Sequence, residues 1–272
     1  MYAFHYHRAE TLDQAEDLLK QCEDPKLLAG GHTLLPTMKQ RLASPSDLID
    51  LSALSALKGA TYAGRILSIG ALETHREVAD SDIVQKALPG LARLAGQIGD
   101  PHVRNRGTLG GSIANNDPAA DYPAACLALG AVIHTTQRQI AAQDFFTDLF
   151  ETALEASEIV TRVEFPAPEL SAYAKFPNPA SRYALVGVYV AKTGNDIKVA
   201  VTGAGPVVFL ATDLAEALRN SFTPGALDGV TIEPKGLNDD LHASADYRAH
   251  LIRLMARQAI ATALGQTAHA HP

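Results

Sequence analysis

Apolar and polar positions alternate along the chain in two rhythms. After Thr11, Leu12, Ala15, Leu18 and Leu19 fall on one broad helical face, and Gln14 three residues past Thr11 suggests a capping box. Short apolar runs at 26–29, 47–51 and 66–69 are too brief for helices and read as strands. Thr74 with Glu77 marks another helix start, and residues 85–97 keep a helical period despite Pro89 and Gly90. Residues 99–123 carry so many glycines, prolines and Asx residues that they read as one long loop. The interspersed Val103, Leu109 and Ile113 argue that this loop is ordered. Residues 124–129 then predict a helix, and 131–135 and 159–165 predict strands, the second closed by Pro166. The proline-rich stretch 166–183 reads as a boundary or an extended crossing segment. Residues 185–191 and 197–202, separated by "KTGND", predict a hairpin. Residues 244–264 predict an amphipathic helix with Tyr247, Leu251, Leu254, Met255 and Ala261 on its apolar face. The chain shows no internal repeat.

Two places break this rhythm in a way that calls for chemistry. "AGGHTL" (Ala29, Gly30, Gly31, His32, Thr33, Leu34) and "TLGGS" (Thr108 to Ser112) each set paired glycines beside a hydroxyl residue. Adjacent glycines cost conformational entropy, so either the chain turns sharply or something approaches the backbone closely. Runs of exposed backbone N–H groups of this kind bind phosphate, and two in one chain suit a pyrophosphate-type ligand. Neither matches the Rossmann GxGxxG or the P-loop pattern, which disfavours those sites.

Composition narrows the field further. With 272 residues, about half apolar, the chain suits one elaborate domain or two to three sub-domains. A formal charge of −7 and a pI near 5.8 argue against a polyanion partner. The N-terminal sequence lacks the pattern of a secretory signal and no apolar run is long enough to span a bilayer, so a cytoplasmic protein is expected. Cys22 and Cys126 cannot by themselves ligate an iron–sulfur cluster and read as ordinary thiols. The His5/His7 and His269/His271 pairs lie near the chain ends without a recognisable ligand spacing and read as surface residues, so no metal site is expected. Asp117 and Asp121 suit either turn and cap duty or hydrogen bonds to ribose hydroxyls. Arg104 and Arg106 suit solvated or phosphate-pairing roles. No GxSxG elbow supports a hydrolase.

The blocks "LAGGHTLLPTMKQRLASPSDLIDLS", "LSIGALETH", "GDPHVRNRGTLGGSIANNDPAADYPA" and "YAKF" together resemble the FAD-binding medium subunit of molybdenum-containing hydroxylases. These are the enzymes of the aerobic carbon monoxide dehydrogenase and xanthine dehydrogenase type. The resemblance covers nearly the whole chain. It implies an α+β fold: two α/β sub-domains (about 1–57 and 58–168) enclosing FAD in a PCMH-type domain, then a C-terminal domain (169–272) of small antiparallel sheet and helices. It places Ala29, Gly30, Gly31, His32, Thr33 and Leu34 at the FAD pyrophosphate, with Thr108, Gly110, Gly111 and Ser112 opposite. It sets Asp121 at the ribityl or ribose region, Val160 near the adenine, and Lys175 and Tyr183 toward the isoalloxazine. The FAD is expected to be non-covalent, with no catalytic acid or base on this chain. Partners are implied: a small subunit with two 2Fe–2S clusters and a large molybdopterin–molybdenum subunit, joined in a dimer of heterotrimers that discharges electrons to an external acceptor. A stand-alone FAD-dependent oxidase or reductase of the same fold is the alternative. Pro177, Asn178, Pro179 and Arg182 depart from the family pattern beside the flavin edge.

Overall fold

The computed structural model describes residues 1–266. The chain opens with β1 (His5–Arg8), α1 (Leu12–Gln21), β2 (Pro25–Leu28), α2 (Leu34–Lys39) and β3 (Asp47–Asp50). The three strands form a parallel sheet in the order β1-β3-β2, as two β-α-β connections require. Thr11 caps α1 through the Gln14 amide, but the Gln14 side chain accepts from the amide of Glu10 rather than Thr11, so the box is only half formed. A small core of Ala9, Ala15, Ile49, Leu51 and Leu54 backs this sheet and extends to Leu72 and Ile159 of the second sub-domain.

Next come β4 (Ala60–Ala63) and β5 (Ile66–Gly70), then six helices: α3 (His75–Asp80), α4 (Asp82–Ala87), α5 (Pro89–Gly96), α6 (Pro101–Arg104), α7 (Leu109–Asn115) and α8 (Tyr122–Leu129). The full capping box of Thr74 and Glu77 starts α3. The helical period over 85–97 is interrupted at Leu88, where Pro89 opens α5 at a first-turn position that needs no amide hydrogen bond. Residues 99–123 are not one loop. Asp100 caps α6 with Pro101 behind it, Thr108 caps α7, and Asn116 ends α7 in the left-handed region. Pro123 sits in the first turn of α8. The residues that suggest a loop are helix punctuation.

β6 (Val132–Thr135), β7 (Gln139–Ala141), α9 (Ala142–Phe145), the short pair β8 (Phe146–Asp148) and β9 (Glu151–Thr152), and β10 (Val160–Pro166) complete this part. Strands β4-β5-β10-β6-β7 make an antiparallel five-stranded sheet. It shares a large core with α3, α5, α7 and α8, built on Leu67, Ile69, Leu91, Ile113, Tyr122 and Val163.

The last part holds β11 (Leu170–Pro177), β12 (Ala184–Thr193), β13 (Asp196–Thr202), β14 (Phe209–Leu210), α10 (Thr212–Asn220) and α11 (Ala245–Ala263). Its antiparallel sheet runs β11-β12-β13-β14. β12 is buried on both faces: Val186, Val188 and Val190 meet α10 and α11, while Tyr189 and Ala191 join the large core. Eight residues of the proline-rich stretch, Leu170–Pro177, are β11, paired with β12 throughout, so this part of it is sheet. The buried face of α11 is Leu251, Ile252, Met255, Ala256, Ala259 and Ile260. Tyr247 and Leu254, expected on that face, are exposed, because the buried Arg248 carries the stripe one position further round.

Candidate functional site

A cavity of 710 Å³ runs between the parallel sheet and the five-stranded sheet, within the usual range for small-molecule and cofactor sites. Both glycine segments line it. In the first, Gly31 takes φ +73°, a conformation natural only to glycine. A side chain on Gly30 would strike the Arg106 carbonyl and approach Gly107 Cα at 2.8 Å. The expected reason for the pair, room for a diphosphate, is therefore incomplete. Gly30 is needed because the backbone leading into the second segment packs directly on the first.

The two segments differ in what their amides can offer. In the second, Leu109 N–H donates to Glu73 O (2.9 Å) and Gly110 N–H to Ala71 O (2.8 Å). Gly111 N–H donates to Thr108 Oγ1 (3.1 Å) and Ser112 N–H to Thr108 O (3.0 Å). These amides are spoken for, contrary to the expectation of two open nests. In the first segment the situation is reversed. Among the described residues, no hydrogen bond has the amide of Gly30, Gly31, His32 or Thr33 as its donor. Consecutive unpaired amides beside a cavity make an anion cradle.

At the other end, Asp121 lines the cavity as a buried carboxylate. It accepts from Tyr173 Oη at 2.5 Å and pairs with Lys175 Nζ at 2.9 Å. Burial pushes its carboxyl upward, against the pull of the Lys175 ammonium and the Tyr173 hydroxyl. Lys175 does not line the cavity. It sits behind Asp121, and its ammonium also donates to Gln97 O (2.8 Å) and Arg182 O (3.0 Å). All three of its protons are placed, so it acts on the cavity through Asp121. Asp117 takes the turn duty open to it, its Oδ1 accepting from Ala119 N–H (2.8 Å), and the residue also lines the cavity. Val160 and Tyr183 also line it.

The unusual segment at 177–182 forms the turn between β11 and β12. Asn178 Oδ1 accepts from the amides of Ala180 and Ser181 at 2.9 and 3.1 Å, and Arg182 takes φ +63°. Ser181 and Arg182 thereby reach the cavity wall, as does Phe150 from the β8–β9 turn. Sequence reasoning missed Phe150 and His75. His75 lines the cavity, is buried, and has an Nδ1 without a partner. Burial, then the neighbouring His32 and Arg104, lowers its pKa to about 3, so the ring is neutral. Arg104 is committed to the carbonyls of Ile98 and Gly99, both at 3.0 Å.

His7 is not the isolated surface residue expected. The fold brings it to Asp47 (2.6 Å) with Cys22 close by. The Asp47 carboxylate is satisfied there by Ser46 and His7, whose hydrogen bonds lower its pKa against the opposing effect of burial. His269 and His271 lie outside the described residues.

The comparison that decides the family spans the cavity. Residues 2–168 match the model of the FAD binding domain in molybdopterin dehydrogenase. The chain belongs to this family. It is 35% identical over 285 residues to the carbon monoxide dehydrogenase medium chain of Hydrogenophaga pseudoflava, covering 97% of this chain and 98% of that one. It is 34% identical over 279 residues to the nicotine 6-hydroxylase medium subunit of Paenarthrobacter nicotinovorans, covering 97% and 99%. A solved carbon monoxide dehydrogenase from H. pseudoflava, one that lacks the Mo-pyranopterin moiety of the molybdenum cofactor, superposes with a TM-score of 0.87. Sequence identity there is 33%, over 98% of this chain and 99% of that one. The residues present suit the cofactor this family binds. A dinucleotide carries one anionic diphosphate between two ring systems, and this cavity offers one set of free amides flanked by largely apolar walls.

Proposed function

We propose that this chain is the FAD-carrying electron-transfer subunit of a heterotrimeric molybdenum hydroxylase. The observation that carries the reading is the set of unpaired amides from Gly30 to Thr33 facing a dinucleotide-sized cavity. Those amides would hold the diphosphate, with Thr108 and Ser112 supplying hydroxyls from the opposite wall. Asp121, fixed by Lys175 and Tyr173, would accept hydrogen bonds from the ribityl hydroxyls. Val160 would border the adenine and Tyr183 the isoalloxazine. When bound, the flavin supplies the redox chemistry between an iron–sulfur partner and an outside acceptor. The chain's own work is to bind, orient and exclude water. His75, neutral and buried, leaves the wall beside the first glycine segment without a fixed positive charge of its own.

Two cysteines, both free and one of them buried, leave the clusters to a partner subunit, and the molybdenum centre to another. The division into 1–168 and 169–272 accords with the same reading, as do a dimer of heterotrimers and a cytoplasmic location. No helix among the described residues is long and apolar enough to cross a membrane. The relatives' names mention nicotine and carbon monoxide, and the reading places substrate contacts on the large subunit. The test is purification of the tagged chain from its own cells with metal analysis. Iron and molybdenum that accompany the chain through size exclusion support the reading. A metal-free flavoprotein that turns over an organic substrate alone contradicts it.

A further inference from the structure

Among the described residues, five other than glycine have a positive φ, and Phe150, at +56°, is the one aromatic of the five. A bulky side chain is rare in that region. Phe150 lies in the β8–β9 turn, where the structure secures it from both sides. Asn116 Nδ2 donates to Asp148 O at 2.9 Å and to Glu151 O at 2.7 Å, and the Phe150 amide donates to Asn116 O at 3.3 Å. Asn116 is itself buried, takes φ +43°, and closes the C-terminal end of α7. The turn is therefore fastened to the far end of the helix whose first residues form the second glycine segment. All this holds a ring that is 54% exposed to water and lines the cavity. Disfavoured backbone and an exposed apolar ring both count against the bare chain. Strain of this kind concentrates at ligand clamps.

The turn's attachment also fixes which end of the cavity it serves. Residues 116–119 run from the clamp to Ala119, whose carbonyl accepts from the amide of Ala184, next to Tyr183. Phe150 and Tyr183 are both partly exposed aromatics lining the cavity. We infer that Phe150 is a cofactor-positioning residue whose ring packs against the isoalloxazine end of the bound flavin. This rests on the cavity's taking FAD. The turn fixes the backbone that carries the ring before the cofactor arrives, so little backbone freedom is lost there on binding.

The experiment uses the full chain stripped of flavin and titrated with FAD by fluorescence, with thermal melts in the absence of FAD. Phe150→Asn and Phe150→Gly both accept positive φ and both lose the ring. Each should melt at or above the parent without FAD, yet bind FAD roughly five- to tenfold more weakly. Phe150→Tyr keeps the ring and should bind as the parent does. Leu149→Ala, which alters the exposed neighbour outside the cavity lining, should also leave binding unchanged. FMN affinity should fall in parallel with FAD affinity, while ADP binding stays constant. Unchanged FAD affinity in both ring-less variants would overturn the inference, as would equal weakening by Leu149→Ala. Loss of ADP affinity with FMN unaffected would overturn its placement at the isoalloxazine. A parent chain that binds no FAD would instead remove the functional reading beneath it.

Discussion

Single residues in this site owe their identity to the protein's own packing as much as to a ligand. Gly30 shows it: the Arg106 carbonyl occupies the space its side chain would need. Gly30→Ala should therefore destabilise the flavin-free chain by about 1–3 kcal/mol, read as a lower denaturation midpoint. A variant as stable as the parent would mean that the two glycine segments do not pack as described. His75 gives a pH signature. Its folded pKa of about 3 lies below the ordinary 6.5, so the unfolded chain takes up the proton first. Its contribution to stability is whole above pH 6.5 and declines as pH falls toward 3, by at most about 1.4 kcal/mol per pH unit. His75→Phe should flatten the fall in unfolding free energy between about pH 6 and 4, and an unaltered slope would contradict the burial argument. The glycines were legible as a site because paired glycines beside a hydroxyl are uncommon without cause. Phe150 was not, since a left-handed phenylalanine has no local signal. Nor was the position of Lys175 behind Asp121, which depends on carbonyl and carboxylate partners brought in by the fold.

At the scale of elements, the instructive stretch is 99–123. Its prolines and glycines look like loop, yet Pro101, Gly110, Gly111 and Pro123 stand within helices, and only Gly99, Gly107 and Pro118 lie in the short connections between them. Pro101 opens α6, Thr108 and Asn116 bound α7, and Gly110 lies inside α7 because a side chain there would meet Ala71 Cβ at 2.6 Å. Tertiary contact overrides propensity there. Strands β2, β3, β5, β6 and β10 and the β12–β13 hairpin were legible from their short apolar runs, whereas β1, β4, β7, β8, β9 and β14 carried no such signal. β11, set among Pro166, Pro168 and Pro179, was not legible either, because its pairing with β12 is decided across the turn by buried side chains. The Thr108 cap also ties α7 to the site, since its hydroxyl holds the Gly111 amide. Thr108→Ala should cost about 1 kcal/mol of stability and weaken FAD retention, whereas Thr108→Ser should largely restore both. Equal behaviour of the two variants would show that the hydroxyl has no such role.

For the whole molecule, two of the three cores supply walls to the cavity, and the pairing of the groups that line it decides what they can do. In the second glycine segment the amides from Leu109 to Ser112 are all paired, whereas those from Gly30 to Thr33 are free among the described residues, so the proposed diphosphate site rests mainly on the first. The buried carboxylate of Asp121 is already paired with Tyr173 and Lys175, which suits the hydrogen-bonding role proposed for it. This is the anatomy of a binding subunit whose chemistry belongs to a carried cofactor. The family was legible in the two glycine blocks and their spacing. The separate roles of those blocks were not, because they depend on which amides the fold consumes. The most direct measurement is the visible absorption spectrum of the purified native protein before and after acid precipitation. The account predicts flavin bands in the native protein that pass entirely into the supernatant as FAD. Flavin retained in the pellet, or a colourless chain that cannot be reconstituted with FAD, would contradict it.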